Sequence, residues 1–239
     1  MRDHEAVVRI GGRDLTFGTP NLNIRFDCRY FFAFEPGLLY RISTFEPEER
    51  FLDIGANIGR YTVLAAGLRG VRVDAIEPFA RNAEELTHNV SRNGLEELVT
   101  LHRVAVSDQT GTGCVAYDDE PAGSTDQSIA DRPGIDPRPG AKFHETIEVW
   151  RVDDMVSAGR IPFPNRIKID VDGVEHKVLD GMTGILSDPR LKSIRIEIHL
   201  EDPLNQAALK RTLGYGFVAQ TGDDPKNLDL TRPDGWSGQ

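Results

Sequence analysis

FLDIGANIGRYTVLAAG, residues 51–67, decides the fold class. FLDI (51–54) is an apolar run of buried-strand length, and residues 58–68 carry a helical pattern, so the segment reads strand, glycine turn, helix. At that turn Gly55 and Gly59 let backbone approach a ligand closely. The same alternation continues in VRVDAIE (71–77), a second strand, and in FARNAEELTHNVSRNG (79–94), a helix ended by Gly94. VTLHRVAV (99–106) supplies a third strand, RIKIDV (166–171) and SIRIEIHL (193–200) are further central strands, and GFVAQ (216–220) with NLDL (227–230) closes the sheet. Short apolar runs separated by amphipathic stretches are the mark of βα units. The predicted fold is α/β, a Rossmann-like, doubly wound and mostly parallel seven-stranded sheet.

Outward from this frame, AVVRIGGRDLTF (6–17) reads as a hairpin about Gly11 and Gly12, so residues 1–50 are expected to form a β-hairpin and helical extension capping a single catalytic domain, 51–239. GCVAYD (113–118) and TIEVWRV (146–152) read as an inserted hairpin. The Pro/Gly-rich connection between them, 118–145, is far longer than ordinary loops, which leaves it a lid or a disordered segment.

At 239 residues one large core is the default, and 39% hydrophobic with 28% charged residues is the balance of a soluble globular chain. A formal charge of −10 without a basic run argues against a nucleic-acid substrate. No stretch approaches the length of a membrane span and the start lacks a signal-type apolar core, so no membrane partner and a cytoplasmic location are expected. Cys28 and Cys114 stand apart without metal-ligand spacing, which predicts reduced thiols and no zinc site. The sequence is compatible with a homo-oligomer.

The glycine turn admits two ligands. A dinucleotide cradle needs G-x-G-x-x-G, and counting from Gly55 this chain has Asn57 and Arg60 at the second and third glycine positions. Asp53, at the carboxyl end of the strand, suits a ligand carrying an ammonium group and would repel a diphosphate. Twenty-two residues past Gly55 stands Glu77, where an acid can accept both hydroxyl hydrogens of a ribose. Without a ligand, both acids would be strand or helix caps, and Asn57 would serve only to tolerate left-handed backbone.

Four segments, DIGANIG, IEPFARNAEELTHN, RVAVSDQTG and IKIDVDGVEHKVLDGM, together resemble the FkbM-type methyltransferases over residues 51 to 200. That resemblance implies a class I methyltransferase fold and transfer of a methyl group from S-adenosylmethionine to an oxygen of a sugar or small natural product. It implies that Asp53, Gly55, Ala56, Asn57 and Gly59 hold the methionine end, that Glu77 with Pro78 meets the ribose, and that Ala105, Val106 and the residues up to Asp108 lie near the adenine. Acceptor choice would reside in the first fifty residues, the long loop and the tail after Asp224.

An alcohol is a poor nucleophile until deprotonated, so the site needs a base or a metal. Lys168, Asp170 and Asp172 alternate with Ile167, Ile169 and Val171, and Arg195, Glu197 and His199 alternate with Ile194, Ile196 and Ile198. If the two strands are neighbours, Asp170, Glu197 and His199 converge beyond their carboxyl ends. They would either hold Mg²⁺ or Mn²⁺, or let His199 act as base with a carboxylate orienting it. As a polar network alone, Glu197 and His199 would pair with Lys168 or Arg195. Lys168 is expected to pair with an acid, since an isolated buried ammonium is too costly. Asp172 to Glu175 also fit a capping box, which leaves Glu175 and His176 as secondary candidates. His144, ending the long loop, reads as solvent-exposed. Asp170 serves the cofactor or the chemistry. The rival readings are an NAD-dependent oxidoreductase and a non-catalytic cofactor-binding relative.

Overall fold

The computed structural model describes the chain except residues 1–4, 20, 31–35, 120, 125–127, 172, 223–224, 234–235 and 237–239, and the side chains of residues 23 and 27. Seven strands form the central sheet: β3 (Arg50–Ile54), β4 (Arg72–Ile76), β5 (Val99–His102), β10 (Arg166–Ile169), β11 (Ser193–Glu197), β12 (Val218–Thr221) and β13 (Asn227–Thr231). Their spatial order is β12-β13-β11-β10-β3-β4-β5. The five strands from β11 to β5 pair in parallel, while β13 runs antiparallel to both β11 and β12.

The apolar runs of the central strands are explained by cover on both faces. Phe51, Val73 and Ala75 enter one apolar cluster with Val63, Leu64 and Leu86. Leu52, Ile54 and Ile76 enter a second with Ile167, Ile194, Val178 and Leu186. Successive residues of one strand therefore point to opposite covered faces, and the polar strand residues Asp53, Asp74, Lys168 and Arg195 are buried as well.

Helix α3 (Arg60–Arg69) follows β3 and ends at Gly70, in the left-handed region at φ 67, whose N–H bonds the Ala66 carbonyl. Helix α4 (Ala80–Arg92) follows β4 and buries Asn82, Ala83, Leu86, Asn89 and Val90, one face of a helix. Shorter helices α5 (Val152–Ser157), α6 (Glu175–Asp180) and α7 (Thr183–Ser187) precede or follow β10, and α8 (Pro203–Leu213) follows β11. Asp202 caps α8 through the Leu204 N–H.

The predicted N-terminal hairpin is present as β1 (Glu5–Ile10) and β2 (Arg13–Gly18), paired antiparallel around Gly11 and Gly12. Helices α1 (Leu22–Arg29) and α2 (Pro36–Ser43) complete the extension. Val8, Leu15, Phe17, Ile24, Leu38 and Ile42 share the first apolar cluster with β3 and α3. Asn89 on α4 accepts the Gly18 N–H at 2.8 Å and donates to the Ile58 carbonyl at 2.9 Å, so one side chain ties the hairpin to the glycine turn.

Two elements depart from the sequence reading. VTLHRVAV is two strands, because after β5 the Val104 N–H turns back to the His102 carbonyl at 3.0 Å. Beyond that tight turn, β6 (Ala105–Val106) leaves the central sheet and pairs with β9 (Phe143–Trp150). The inserted hairpin, β7 (Gly111–Tyr117) against β9, gains an extra strand from inside the long connection, β8 (Ser128–Ala130), to make a four-stranded sheet ordered β6-β9-β7-β8.

Candidate functional site

The turn at the carboxyl end of β3 needs left-handed backbone at Gly55, Asn57 and Gly59, with φ of 75, 52 and 80. A Cβ on Gly55 would lie 1.8 Å from the Asp170 carbonyl oxygen, so only glycine lets β3 and the end of β10 close together. Gly55→Ala combines that backbone clash with a positive φ. Its expected effect is a loss of about 3 kcal/mol or more of stability, read by urea unfolding beside the parent, and an unchanged midpoint would refute the tight approach.

Every amide of the turn is committed. The N–H groups of Gly55 and Ala56 both donate to the Ile76 carbonyl at 3.0 Å, and that of Gly59 to Ala56 at 2.9 Å. The Asn57 N–H donates to Glu77 Oε2 at 2.8 Å, and the Ile58 N–H to Asn57 Oδ1 at 2.8 Å. This turn is rigid, and it leaves no free row of N–H groups of the kind that cradles a pyrophosphate.

A cavity of about 360 Å³ opens beyond this tip, walled by Gly55, Asn57, Glu77, Asn82, Lys168 and Asp170, with Tyr61 and Val174 beside them. A smaller apolar pocket adjoins it, sharing Gly55, Pro78, Ile129, Val171 and Val174 and lined further by Ala105, Val106 and Ser107. Gly55, Ala56, Asn57, Glu77, Pro78, Ala105, Val106 and Asp170 thus lie on one continuous crevice.

Glu77, 3% exposed, accepts the Asn57 N–H on one carboxylate oxygen and the Phe79 N–H on the other, at 2.8 and 3.0 Å. Burial pushes its pKa up to about 7 against the pull of those backbone bonds. Both oxygens keep lone pairs for further donors.

Asp53 does not line either pocket, which corrects the expectation that it meets an ammonium directly. Its side chain points into the interior, where Oδ2 accepts the Thr62 hydroxyl at 2.6 Å and Lys168 Nζ lies 3.8 Å from Oδ1. Burial raises its pKa, opposed chiefly by the Lys168 charge. Asp53 therefore supports α3 and Lys168 from beneath. Gly59 likewise lines neither pocket; it lies against Leu86, 2.7 Å from where its Cβ would be, and lets α3 start close to α4.

β10 and β11 are neighbours, as the convergence of Asp170, Glu197 and His199 requires, yet the three are not assembled. Asp170 lines the cavity, where Lys168 Nζ donates to its Oδ2 at 3.0 Å, so the predicted Lys168 pairing is present. Glu197 and His199 line neither pocket, and His199 Nδ1 sits 3.0 Å from Glu201 on an exposed loop. Arg195 pairs with Asp229 at 3.1 Å. Among the described residues no group of three His, Cys, Asp or Glu side chains is placed to hold a metal ion. Asp170, Glu197 and His199 are therefore not a metal set: a lysine ammonium occupies the acid, and the strands end before the histidine.

Glu175 and His176 also stand outside both pockets. Glu175 is buried at 1% exposure and accepts the Gly173 N–H at 2.9 Å, while its Oε2 has no hydrogen-bond partner among the described residues. Asp172, the other half of the expected capping box, lies outside the described residues. The His176 N–H donates to Asn205 Oδ1 at 3.2 Å, which fixes α6 against α8. His144 faces Asp136 at 2.9 Å on the surface.

The sequence reading missed the walls supplied from elsewhere. Asn82 Oδ1 accepts the Gly123 N–H at 2.8 Å, its Nδ2 lies 3.5 Å from Glu77 Oε1, and Ser124, Ser128 and Ile129 line the cavity. Asn21, capping α1, donates to the Ala122 carbonyl at 2.8 Å, so the extension holds the same loop from outside. An Asn on the predicted helix, five residues past Glu77, was the available signal; the loop has no periodicity to read.

A mostly parallel α/β sheet with a glycine turn and a buried acid at the next strand end places a ligand crevice beyond the carboxyl ends of the strands. The methyltransferase FkbM domain matches residues 53–218, and the chain belongs to that family. It is similar to the hexuronic acid methyltransferase AglP of Haloferax volcanii, 27% identical over 154 residues, which are 64% of this chain and 57% of that one. The chain thus spans little more than half the length of this curated relative. Among solved structures it is similar in fold to the methyltransferase FkbM from Methylobacillus flagellatus KT, with a TM-score of 0.57 and 19% identity over 87% of this chain and 52% of that one. Among the described residues no helix is long and apolar enough to cross a membrane.

Proposed function

We propose that the chain is an S-adenosylmethionine-dependent O-methyltransferase acting on a sugar hydroxyl, with uronic acids the first acceptors to test. The observation that carries this reading is the continuous crevice over the β3 tip, with Glu77 along one side and the Lys168–Asp170 pair on the other. The name of the Haloferax volcanii relative supports the acceptor class. In this reading residues 51–239 are the catalytic domain and residues 1–50 an extension packed on it.

The residues fit the cofactor by their own chemistry. Glu77 offers acceptor lone pairs in a buried place, suited to two ribose hydroxyls. Ala105 and Val106 wall an apolar slot of the kind a flat base fills. Gly55, Ala56 and Asn57 leave backbone, without bulky side chains, against the methionine part. When bound, the sulfonium supplies an electrophilic methyl group. The committed turn amides favour this ligand over a dinucleotide, whose diphosphate would find no donors there.

Asp170 is the group of this chain suited to take the acceptor's proton. It lies at the cavity with its side chain 35% exposed, so an incoming hydroxyl can reach it. Lys168 holds that carboxylate in one orientation and is itself seated by Asp53 below. Proton transfer to a placed carboxylate needs no metal, and among the described residues no group of three candidate ligands offers one a site. Dialysis against EDTA is accordingly expected to leave the rate unchanged; a rate lost to EDTA and restored by Mg²⁺ or Mn²⁺ would overturn this assignment.

The function is tested by incubating the protein with S-adenosylmethionine and a panel of glucuronides, glucosides and small phenols, measuring S-adenosylhomocysteine formed. Acceptor-dependent turnover on a sugar is the expected result. Turnover confined to the phenols would sink the sugar assignment.

A further inference from the structure

We infer that Arg60, the first residue of α3, clamps the carboxylate of the acceptor and so sets a preference for a sugar acid over the corresponding neutral sugar. This rests on the S-adenosylmethionine reading above and deepens it, giving a role to a wall residue that had none. Arg60 stands where a dinucleotide cradle has its third glycine, so a long cationic side chain occupies a position that the other ligand needs bare. It is half-buried and lines the cavity. Its guanidinium lies over the Tyr61 ring, 5.8 Å from the centroid, and Lys168 Nζ lies 5.4 Å from the same centroid. Lys168 in turn donates to Asp170 Oδ2 at 3.0 Å, so Arg60, Tyr61 and the proposed base are gathered at one end of the cavity.

The charge of the loaded site selects an acid. Among the described residues, the cavity wall carries two cations, Arg60 and Lys168, and two acids, Glu77 and Asp170. Lys168 is paired with Asp170, and in the reading above Glu77 faces the ribose hydroxyls. The ammonium and carboxylate of the cofactor cancel, which leaves its sulfonium charge to be added. A wall in balance therefore gains one positive charge when the cofactor binds. An acceptor with one carboxylate restores the balance, and a neutral sugar does not. In a recess, where less water screens the pair, that attraction is stronger than at the surface. The rest of the chain acts in the opposite sense, because a formal charge of −10 repels an acidic acceptor until a local cation seats it.

Arginine suits this task by its shape. Its planar fork donates two parallel N–H bonds to one carboxylate, which fixes the rotation of the acceptor as well as its place. The contact with Tyr61 engages the face of the guanidinium and consumes none of its in-plane donors. The stem of Arg60 springs from fixed backbone, since Gly59 lets α3 start against Leu86 and the turn amides before it are committed. With its carboxylate engaged at Arg60, a uronate presents a ring hydroxyl, not the acid, to Asp170 and the methyl group.

The test compares methyl transfer by the whole chain to a glucuronide and to the glucoside of the same aglycone, with S-adenosylhomocysteine affinity measured by calorimetry on the same preparations. The parent is expected to prefer the glucuronide in kcat/KM by at least about tenfold. Arg60→Met, which keeps the length and removes the charge, is expected to cut that preference by about 10- to 100-fold, chiefly through KM. Affinity for S-adenosylhomocysteine should stay near that of the parent, and the methylated product should survive mild alkali, as an ether does and an ester does not. A parent without the preference overturns the assignment of Arg60 and leaves the cofactor reading standing, as does an Arg60→Met protein that keeps the preference. A loss confined to S-adenosylhomocysteine affinity also overturns it, by putting the carboxylate of the cofactor at Arg60. An alkali-labile product does the same, by making the sugar's carboxylate the nucleophile. If the variant does not fold, the parent's preference and the alkali stability of its product decide. Turnover on neither sugar overturns the function reading itself, and the role of Arg60 with it.

Discussion

Asp170→Asn is expected to lower kcat for methyl transfer to a sugar hydroxyl by about 10²- to 10⁴-fold, the usual contribution of a placed general base. Asn keeps the size of the side chain and can still accept a hydrogen bond from Lys168, which donates at 3.0 Å in the parent, but it cannot accept the hydroxyl proton. The glycine turn and Glu77 are untouched, so affinity for S-adenosylhomocysteine should stay near that of the parent. Rate and affinity measured on one preparation separate the alternatives. An unchanged kcat would remove Asp170 from the chemistry, and a loss confined to cofactor affinity would make it a binding residue.

Glu77→Gln is expected to weaken S-adenosylhomocysteine binding by about 100-fold at pH 8, because two charge-assisted bonds become at best one neutral one. The pH dependence follows from the carboxyl's burial, which raises its folded pKa to about 7 from 4.5. Between those values the folded, ligand-free protein retains a proton that the unfolded chain has released. This contribution to stability is therefore full below pH 4.5 and lost as pH rises through 7. Ribose hydroxyls donate to the ionised form, so binding expels that proton. Affinity should climb by up to about tenfold per pH unit below 7 and level off above it. Titration of the Glu77→Gln protein should lack this rise; a parent profile equally flat would show that the ribose lies elsewhere.

The central sheet was legible because its strands are covered on both sides, which writes short segments rich in large apolar residues, such as FLDI and SIRIEI, into the sequence. What failed was continuity. RVAV continues the apolar pattern of β5, and only a tight turn at Val104, invisible to periodicity, diverts Ala105 and Val106 into another sheet. The glycine turn and Glu77 could be found from spacing alone, whereas the direction of the Asp53 side chain could not, since Thr62 and Lys168 draw it inward. Period-two alternation put Asp170, Glu197 and His199 on a shared face only while the strands last. β10 ends at Ile169 and β11 at Glu197, so the pattern says nothing of where Asp170 and His199 turn. Ser124, Ile129 and Asp131 reach the crevice from a loop with no period, held by Asn21, Asn82 and Lys177, partners too remote in sequence to be foreseen.

All of these roles require one placement, a sulfonium nucleoside lying along the crevice from the apolar slot to Asp170. A crystal structure of the protein grown with S-adenosylhomocysteine measures it directly. The ribose hydroxyls should both hydrogen-bond to Glu77, with the base between Ile129 and Val106 and the sulfur facing Asp170. A nucleoside bound anywhere else, or with its sugar turned away from Glu77, would contradict the account.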